Sequence, residues 1–374
     1  MKFTDVNPFN TNIQKKINKN ILNTVKKGDF ILGKNVLEFE KKFCKFSGSK
    51  FAVGCATGTD ALILALKALD LKRKDEVIIP GVSYVSTGLS VALNNNKIVF
   101  ADIDENTGLV SLDSIRKKIT SNTKAVIPVN LYGQKVDLKN LRQLIGKKIF
   151  IIEDSAQSHF AYSCYGCKNF FSNKCCKKER NHKYADLSCY SFYPSKNLGA
   201  YGDGGLITTE NLKLYKKINI LRNLGSIKKN IHSVEGLNSR LDTLQASVLI
   251  EKIKFTHKHN DYRRLISNYY DNEISFINGV KTTFTNPGSS RHLYVIRVNK
   301  RDKLFKFLLK NKIPVQIHYP YSLNKSAALK KKIKKTKLIN SEKWVKECIS
   351  LPLYPNMPLK EAKRVVNFIK KFYK

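Results

Sequence analysis

The stretch Ile149-Phe150-Ile151-Ile152-Glu153-Asp154-Ser155-Ala156-Gln157 passes from an unbroken apolar run directly into two carboxylates. Four consecutive apolar residues without alternation are the pattern of a strand buried on both faces. Runs of the same kind flank it at 51–55, 76–80, 97–102, 125–131 and, after Gly204-Gly205, at 206–209. Helical patterns fill the intervals over 60–69, 85–93, 112–119 and 138–145. This alternation predicts an α/β domain with a mostly parallel sheet between helices. Near residue 241 the texture changes. Leu241, Leu244 and Val248 open a long charged helix running to Asn272. A strand over 292–298, a helix over 302–311, a strand over 314–319 and an amphipathic helix over 359–372 follow. We therefore expect a large domain over 1–250, its first 20 or so residues an N-terminal extension, and a smaller α+β domain over 251–374.

Composition narrows the function. With 374 residues and 42% hydrophobic content the chain buries a sizeable core, and 19 Gly and 10 Pro are too few for a disordered one. No apolar run approaches the roughly 20 residues of a membrane helix, and the N-terminus lacks the apolar centre of a secretion signal. A cytoplasmic protein with no membrane partner is expected. The net charge of +39 is large, but its lysines are spread along the whole chain and no nucleic-acid-binding motif accompanies them. Nucleic acid is not expected as a partner. The eight cysteines are expected to stay reduced. Cys164, Cys167, Cys175, Cys176 and His182 are compatible with zinc, but their spacing is irregular and lacks a second clean Cys-x-x-Cys. No metal site is assigned.

Three loops follow strands, where open α/β sheets bind ligands. Ala56-Thr57-Gly58-Thr59 offers a close backbone approach, hydroxyls and a helix N-terminus, a phosphate cradle in kind. Asp154, ending a buried strand, needs a partner, and a protonated ring nitrogen would serve. His159, five residues on, reads as a packed histidine rather than a base. Lys196 sits in the aromatic, Gly-flanked turn Cys189-Tyr190-Ser191-Phe192-Tyr193-Pro194-Ser195-Lys196-Asn197-Leu198-Gly199. Enclosed there, its pKa falls and the amine becomes a nucleophile for a carbonyl. Phosphate cradle, acid and lysine together are what pyridoxal 5'-phosphate requires of a protein.

The same residues resemble the sugar-nucleotide aminotransferases of the DegT/DnrJ type. Gly58-Thr59-Asp60-Ala61-Leu62, Glu153-Asp154-Ser155-Ala156-Gln157, Ser191-Phe192 with Lys196-Asn197-Leu198-Gly199, Gly202-Asp203-Gly204-Gly205, and Asn238-Ser239-Arg240-Leu241-Asp242 with Gln245-Ala246 are similar to the family's motifs and fall in its order. The resemblance implies the fold type I architecture of pyridoxal-phosphate-dependent transferases. It makes Lys196 the covalent attachment point and proton carrier, and places Asp154 on the pyridinium nitrogen and Gln157 by the phenolic oxygen. Thr57, Gly58, Thr59 and Ser191 would bind the phosphate, and Tyr84 would stack on the ring. Asn238 would reach the phosphate in the neighbouring subunit of a homodimer, and His318 and Tyr319 would lie near the sugar-nucleotide substrate. The reaction implied takes an amino group from glutamate to a nucleotide-linked keto-sugar, for glycan or surface polysaccharide biosynthesis. The Asn-Ser-Arg-Leu-Asp form resembles the 3-keto-sugar enzymes, hence a dTDP-linked 3-keto-6-deoxyhexose and a 3-amino product. A 4-keto-sugar on UDP or dTDP is the alternative. A sugar dehydratase on the same scaffold fits less well, because those enzymes typically lack the lysine found here at 196. Two features depart from the family: a longer, cysteine-rich segment between His159 and Asp186, and the choices at Thr57 and Gly81-Val82.

Overall fold

The apolar runs become the strands β1 (Phe51–Cys55), β2 (Glu76–Pro80), β3 (Lys97–Ala101), β4 (Thr123–Val126), β5 (Phe150–Asp154), β6 (Leu187–Ser191) and β7 (Gly205–Thr209). They form one sheet in the order β1-β7-β6-β5-β4-β2-β3. The computed structural model describes residues 1–164, 178–179, 183–333 and 336–374. From β3 to β6 the neighbours are parallel, and β7 runs antiparallel between β6 and β1. The helices are α1 (Thr11–Lys27), α2 (Lys34–Ser47), α3 (Gly58–Ala68), α4 (Val85–Leu93), α5 (Leu112–Arg116), α6 (Leu138–Ile145) and α7 (Leu212–Leu221). Leu62, Leu66, Val77, Ile79, Ile152, Leu187 and Ile207 share one buried cluster between sheet and helices. Because β7 is reversed, its first residue pairs with the last residues of both neighbours, Gly205 with Cys55 and with Ser191. Asp154 stands opposite Cys189 at the same edge. The three polar loops therefore leave the sheet side by side.

The rest of the chain holds α8 (Thr243–Lys252), α9 (Thr256–Ile274), α10 (Arg301–Lys310), α11 (Ile339–Glu347) and α12 (Leu359–Tyr373). A three-stranded antiparallel sheet of β8 (Val280–Thr282), β9 (Tyr294–Val298) and β10 (Cys348–Leu351) accompanies them. Its core is a separate cluster that includes Ile266, Tyr270, Ile296, Leu304, Ile349 and Val366. Asp102, just past β3, links the two parts: it accepts the backbone N–H groups of Asn340 (2.9 Å) and Ser341 (2.8 Å) in the first turn of α11. A carboxylate there meets unsatisfied donors and the positive end of the helix. The N-terminal residues lie against the smaller part, where Leu353 N–H donates to the Phe3 carbonyl at 3.1 Å. Among the described residues no helix is long and apolar enough to cross a membrane.

Several elements differ from expectation. The strand expected over 125–131 ends at Val126. Pro128, without an N–H, cannot continue the ladder. The long helix expected from 241 is divided by a 3-10 turn at Ile253–Phe255. The strand expected over 314–319 reduces to one bridge, Gln316 with Ser350, and β8 and β10 supply the small sheet instead. The helix expected over 112–119 stops at Arg116. Strand β6 was hidden in the motif stretch, where Ser and Cys break the apolar run. The zinc candidates Cys167, Cys175, Cys176 and His182 lie outside the described residues.

Candidate active site

Thr57 caps α3, its hydroxyl accepting from Asp60 N–H at 3.0 Å. This fixes the turn and leaves the N–H groups of the first helical residues facing outward, as at other anion-binding helix starts. Ser191 closes the cradle from β6. A methyl group on Gly58 would lie 2.5 Å from Ser191 Cβ, so only glycine allows the two loops to touch. Gly205 is held the same way: a methyl group there would lie 2.1 Å from the Thr57 carbonyl oxygen. Thr59 and Ser86 share a hydrogen bond of 2.7 Å, which brings the start of α4 into the cradle. Asn238 is exposed beside it, while its neighbour Ser239 donates to Asp60 (2.7 Å) and accepts from Ala56 N–H (3.1 Å).

Asp154 and Glu153 project to opposite faces of β5, and their fates diverge. Glu153 accepts from Ser188 at 2.7 Å, from Asn130 at 2.8 Å and from the Lys135 ammonium. Burial pushes its carboxyl up, but Lys135 and these donors win and hold it ionised. Among the described residues Asp154 makes no ion pair; it accepts from Thr87 Oγ1 at 3.0 Å and Ala156 N–H at 3.2 Å. Thr87 is in turn bonded to Ser83 at 2.8 Å. Burial raises the pKa of Asp154, and these donors and the Lys196 charge only partly offset it. Asp154 is thus a buried acid in want of a cation.

Lys196 lies in the turn after β6, its N–H donating to the Tyr193 carbonyl at 2.8 Å. Burial lowers its pKa to about 8 against the opposing pull of Asp154. The next residue anchors the turn. Asn197 donates to Asn260 Oδ1 and to the Ser290 carbonyl, both at 2.8 Å, and its own Oδ1 lies 2.9 Å from His292 Nδ1. Both donors of Asn197 are already spent, so His292 carries its proton on Nδ1. Gln157 Oε1 accepts from Tyr132 N–H at 2.7 Å, and its Nε2 donates to the Tyr319 hydroxyl at 2.9 Å. The Tyr319 ring lies 5.9 Å from that of Tyr84, which is 58% exposed and free to meet a ligand. His318 bonds Ser350 Oγ through Nδ1 at 2.9 Å, with its ring stacked 6.0 Å from Phe3. Burial lowers its pKa to about 4. His159 is packed between Tyr190 and Phe192, each ring 5.8 Å away, and burial brings it to about 3. It is a core residue.

The family model for the DegT/DnrJ/EryC1/StrS aminotransferase family matches residues 11–370. The chain belongs to that family. It is 37% identical over 374 residues to a dTDP-3-amino-3,6-dideoxy-alpha-D-galactopyranose transaminase of Aneurinibacillus thermoaerophilus, covering 99% of each chain. It is 36% identical to a UDP-2-acetamido-2-deoxy-3-oxo-D-glucuronate aminotransferase of Pseudomonas aeruginosa, covering 95% of each. Its fold matches S. venezuelae DesV, solved in complex with a ketimine intermediate, at a TM-score of 0.92 and 30% identity, covering 100% of this chain and 98% of the other. The fold is therefore that of pyridoxal-phosphate-dependent transferases, and the family's cofactor is pyridoxal phosphate.

The residues in place fit that group. A cradle that a single Cβ would fill suits a phosphate, and a buried acid without a cation suits a pyridinium. A lysine with a lowered pKa suits a carbonyl. Gly58, Asp154, Gln157 and Lys196 lie in the family-like motifs, whereas Ser86, Thr87, Tyr132, Asn260, Ser290 and His292 escaped the sequence. Of these, Thr87 alone had a local signal, the hydroxyl of Ser83 four residues earlier, just before α4.

Proposed function

We propose that this enzyme transfers an amino group from glutamate to a nucleotide-linked keto-sugar, the acceptor being a 3-keto-6-deoxyhexose on dTDP. The observation that carries the reaction type is a buried acid, Asp154, with its carboxyl pushed up, and a lysine, Lys196, brought down to about 8, on loops beside the Thr57–Ser191 cradle. The position on the sugar is supported by the names of the two relatives above, both of which act at carbon 3. It is supported too by the Asn238-Ser239-Arg240-Leu241-Asp242 motif.

When bound, pyridoxal phosphate supplies an electron sink for the pair left when a proton departs from the amino-bearing carbon. In our reading the protein does the rest. Thr57, Gly58, Thr59 and Ser191 hold the phosphate, Asp154 keeps the ring nitrogen protonated, and Gln157 bonds the phenolic oxygen. Tyr84 covers the ring and excludes water. Lys196 attaches the cofactor and then carries the proton to and from the substrate carbon. His318 and Tyr319 line the sugar side, and a homodimer places Asn238 of one protomer over its partner's phosphate. The basic surface draws anionic nucleotide diphosphates toward the cleft.

The test is to supply ¹⁵N-glutamate with dTDP- and UDP-linked 3-keto and 4-keto sugars and locate the label by NMR. Label at carbon 3 of a dTDP-linked product is expected. Label at carbon 4 would replace the acceptor, and no transfer to any of these sugars would remove the proposal.

A further inference from the structure

A small cavity of about 20 Å³ adjoins the Lys196 turn, and its walls include Lys252, His259 and Arg263. Asp5 and Phe9 of the N-terminal segment close its other side. Lys252 is 4% exposed and Arg263 2%, and neither makes an ion pair among the described residues. The acids nearest in sequence are taken by other cations. Lys254 holds Glu251 at 2.7 Å, Arg264 holds Asp261, and Lys2 holds Asp5 at 3.2 Å. Among the described residues, the hydrogen bonds and ring contacts of the two buried cations are all to neutral groups. Lys252 Nζ donates to the carbonyls of Gly199 (2.9 Å) and Val6 (3.4 Å) and lies over the rings of Tyr201 (4.2 Å) and Phe9 (5.5 Å). Arg263 donates to the carbonyls of His292 (3.2 Å) and Leu353 (3.0 Å), and its buried Nε has no partner. Between them, His259 is held neutral at about 4 by burial and by Arg263, Lys258 and Lys252.

Burying two positive charges around one polar cavity whose wall carboxylate, Asp5, is already paired with Lys2 is costly, and a further negative occupant offsets that cost. At about 20 Å³ the cavity is small, which favours a halide over a larger anion. We infer that the cavity is a binding site for a small monovalent inorganic anion of the chloride class, held by Lys252 and Arg263. The anion neutralises Lys252, which ties Val6 of the N-terminal segment to Gly199 at the end of the Lys196 turn, together with Arg263, which binds the His292 and Leu353 carbonyls. The inference uses no cofactor and stands apart from the proposed reaction.

Thermal melts of the full-length protein in sodium chloride, bromide and gluconate at equal ionic strength test it. Wild type should melt about 2 °C higher in either halide than in gluconate. Lys252→Met should abolish that difference, while Lys213→Met, at an exposed helical site, should keep it. Equal melting in all three salts, or a halide effect that survives Lys252→Met, would overturn the site. Should Lys252→Met fail to fold, wild-type crystals grown in bromide decide the matter. An anomalous peak between Lys252 and Arg263 upholds the site, and its absence refutes it.

Discussion

At Lys196 two opposing terms meet: burial favours the neutral amine and Asp154 favours the ammonium, and burial wins. The amine is therefore half neutral near pH 8 and mostly neutral above it, where an ordinary lysine with a pKa of 10.5 stays protonated. Since the neutral form attacks a carbonyl, capture of added pyridoxal phosphate by the cofactor-free protein should accelerate from about pH 6 and level off above pH 8. Stopped-flow absorbance follows it; a rate still climbing at pH 10 would show an unperturbed lysine. Lys196→Ala should lose both the visible absorbance of the attached cofactor and all turnover. Asp154→Asn should keep the cofactor but lower kcat by about 10²-fold or more, because a neutral amide cannot hold a proton on the ring nitrogen. Similar kcat values for Asp154→Asn and wild type would remove Asp154 from its assigned place.

The elements matter through where they end. Cys55, Asp154 and Ser191 close three strands at one edge, and the reversed β7 brings Gly205 against two of them. The cradle between α3 and β6 has no spare volume, so Gly58→Ala must push Ser191 aside. It should raise the dissociation constant for pyridoxal phosphate by about 10- to 100-fold, equivalent to losing one or two charge-assisted hydrogen bonds, with the circular dichroism unchanged. Fluorescence titration measures it, and wild-type affinity would mean the phosphate sits elsewhere. This layout was legible in the sequence as far as local patterns reach. Strands β1 and β2 and helices α4 and α6 lie where unbroken apolar runs and 3.6-residue periodicity set them. The reversed β7 was not legible, since a fully buried strand reads the same in either direction. Nor was the Asn197–His292 bond, which joins residues 95 positions apart and leaves no periodic trace. Lys196 was legible only through its loop: with 68 Lys and Arg in the chain, residue type alone singles out none.

At the scale of the whole molecule, Asn238 stands beside the cradle. Its side chain is exposed next to Ser239, which is tied down by Asp60 and Ala56. The neighbouring segment carries Leu224, Ile227, Ile231 and Val234, all exposed apolar side chains. We read these exposed apolar side chains as a face that a second protomer would cover. If a second protomer covers it and each site takes Lys196 from one chain and Asn238 from the other, then mixing defective subunits restores function. In hybrids of Lys196→Ala with Asn238→Ala, one site carries both lesions and the other carries none. Random pairing of equal amounts makes half the dimers hybrid, each with one sound site of two, so about a quarter of wild-type activity should appear on mixing. Sites built within single chains give a different result, because mixing then yields only the average of the two variants measured alone. Unfolding and refolding the two proteins together, followed by the ¹⁵N transfer assay, distinguishes these outcomes.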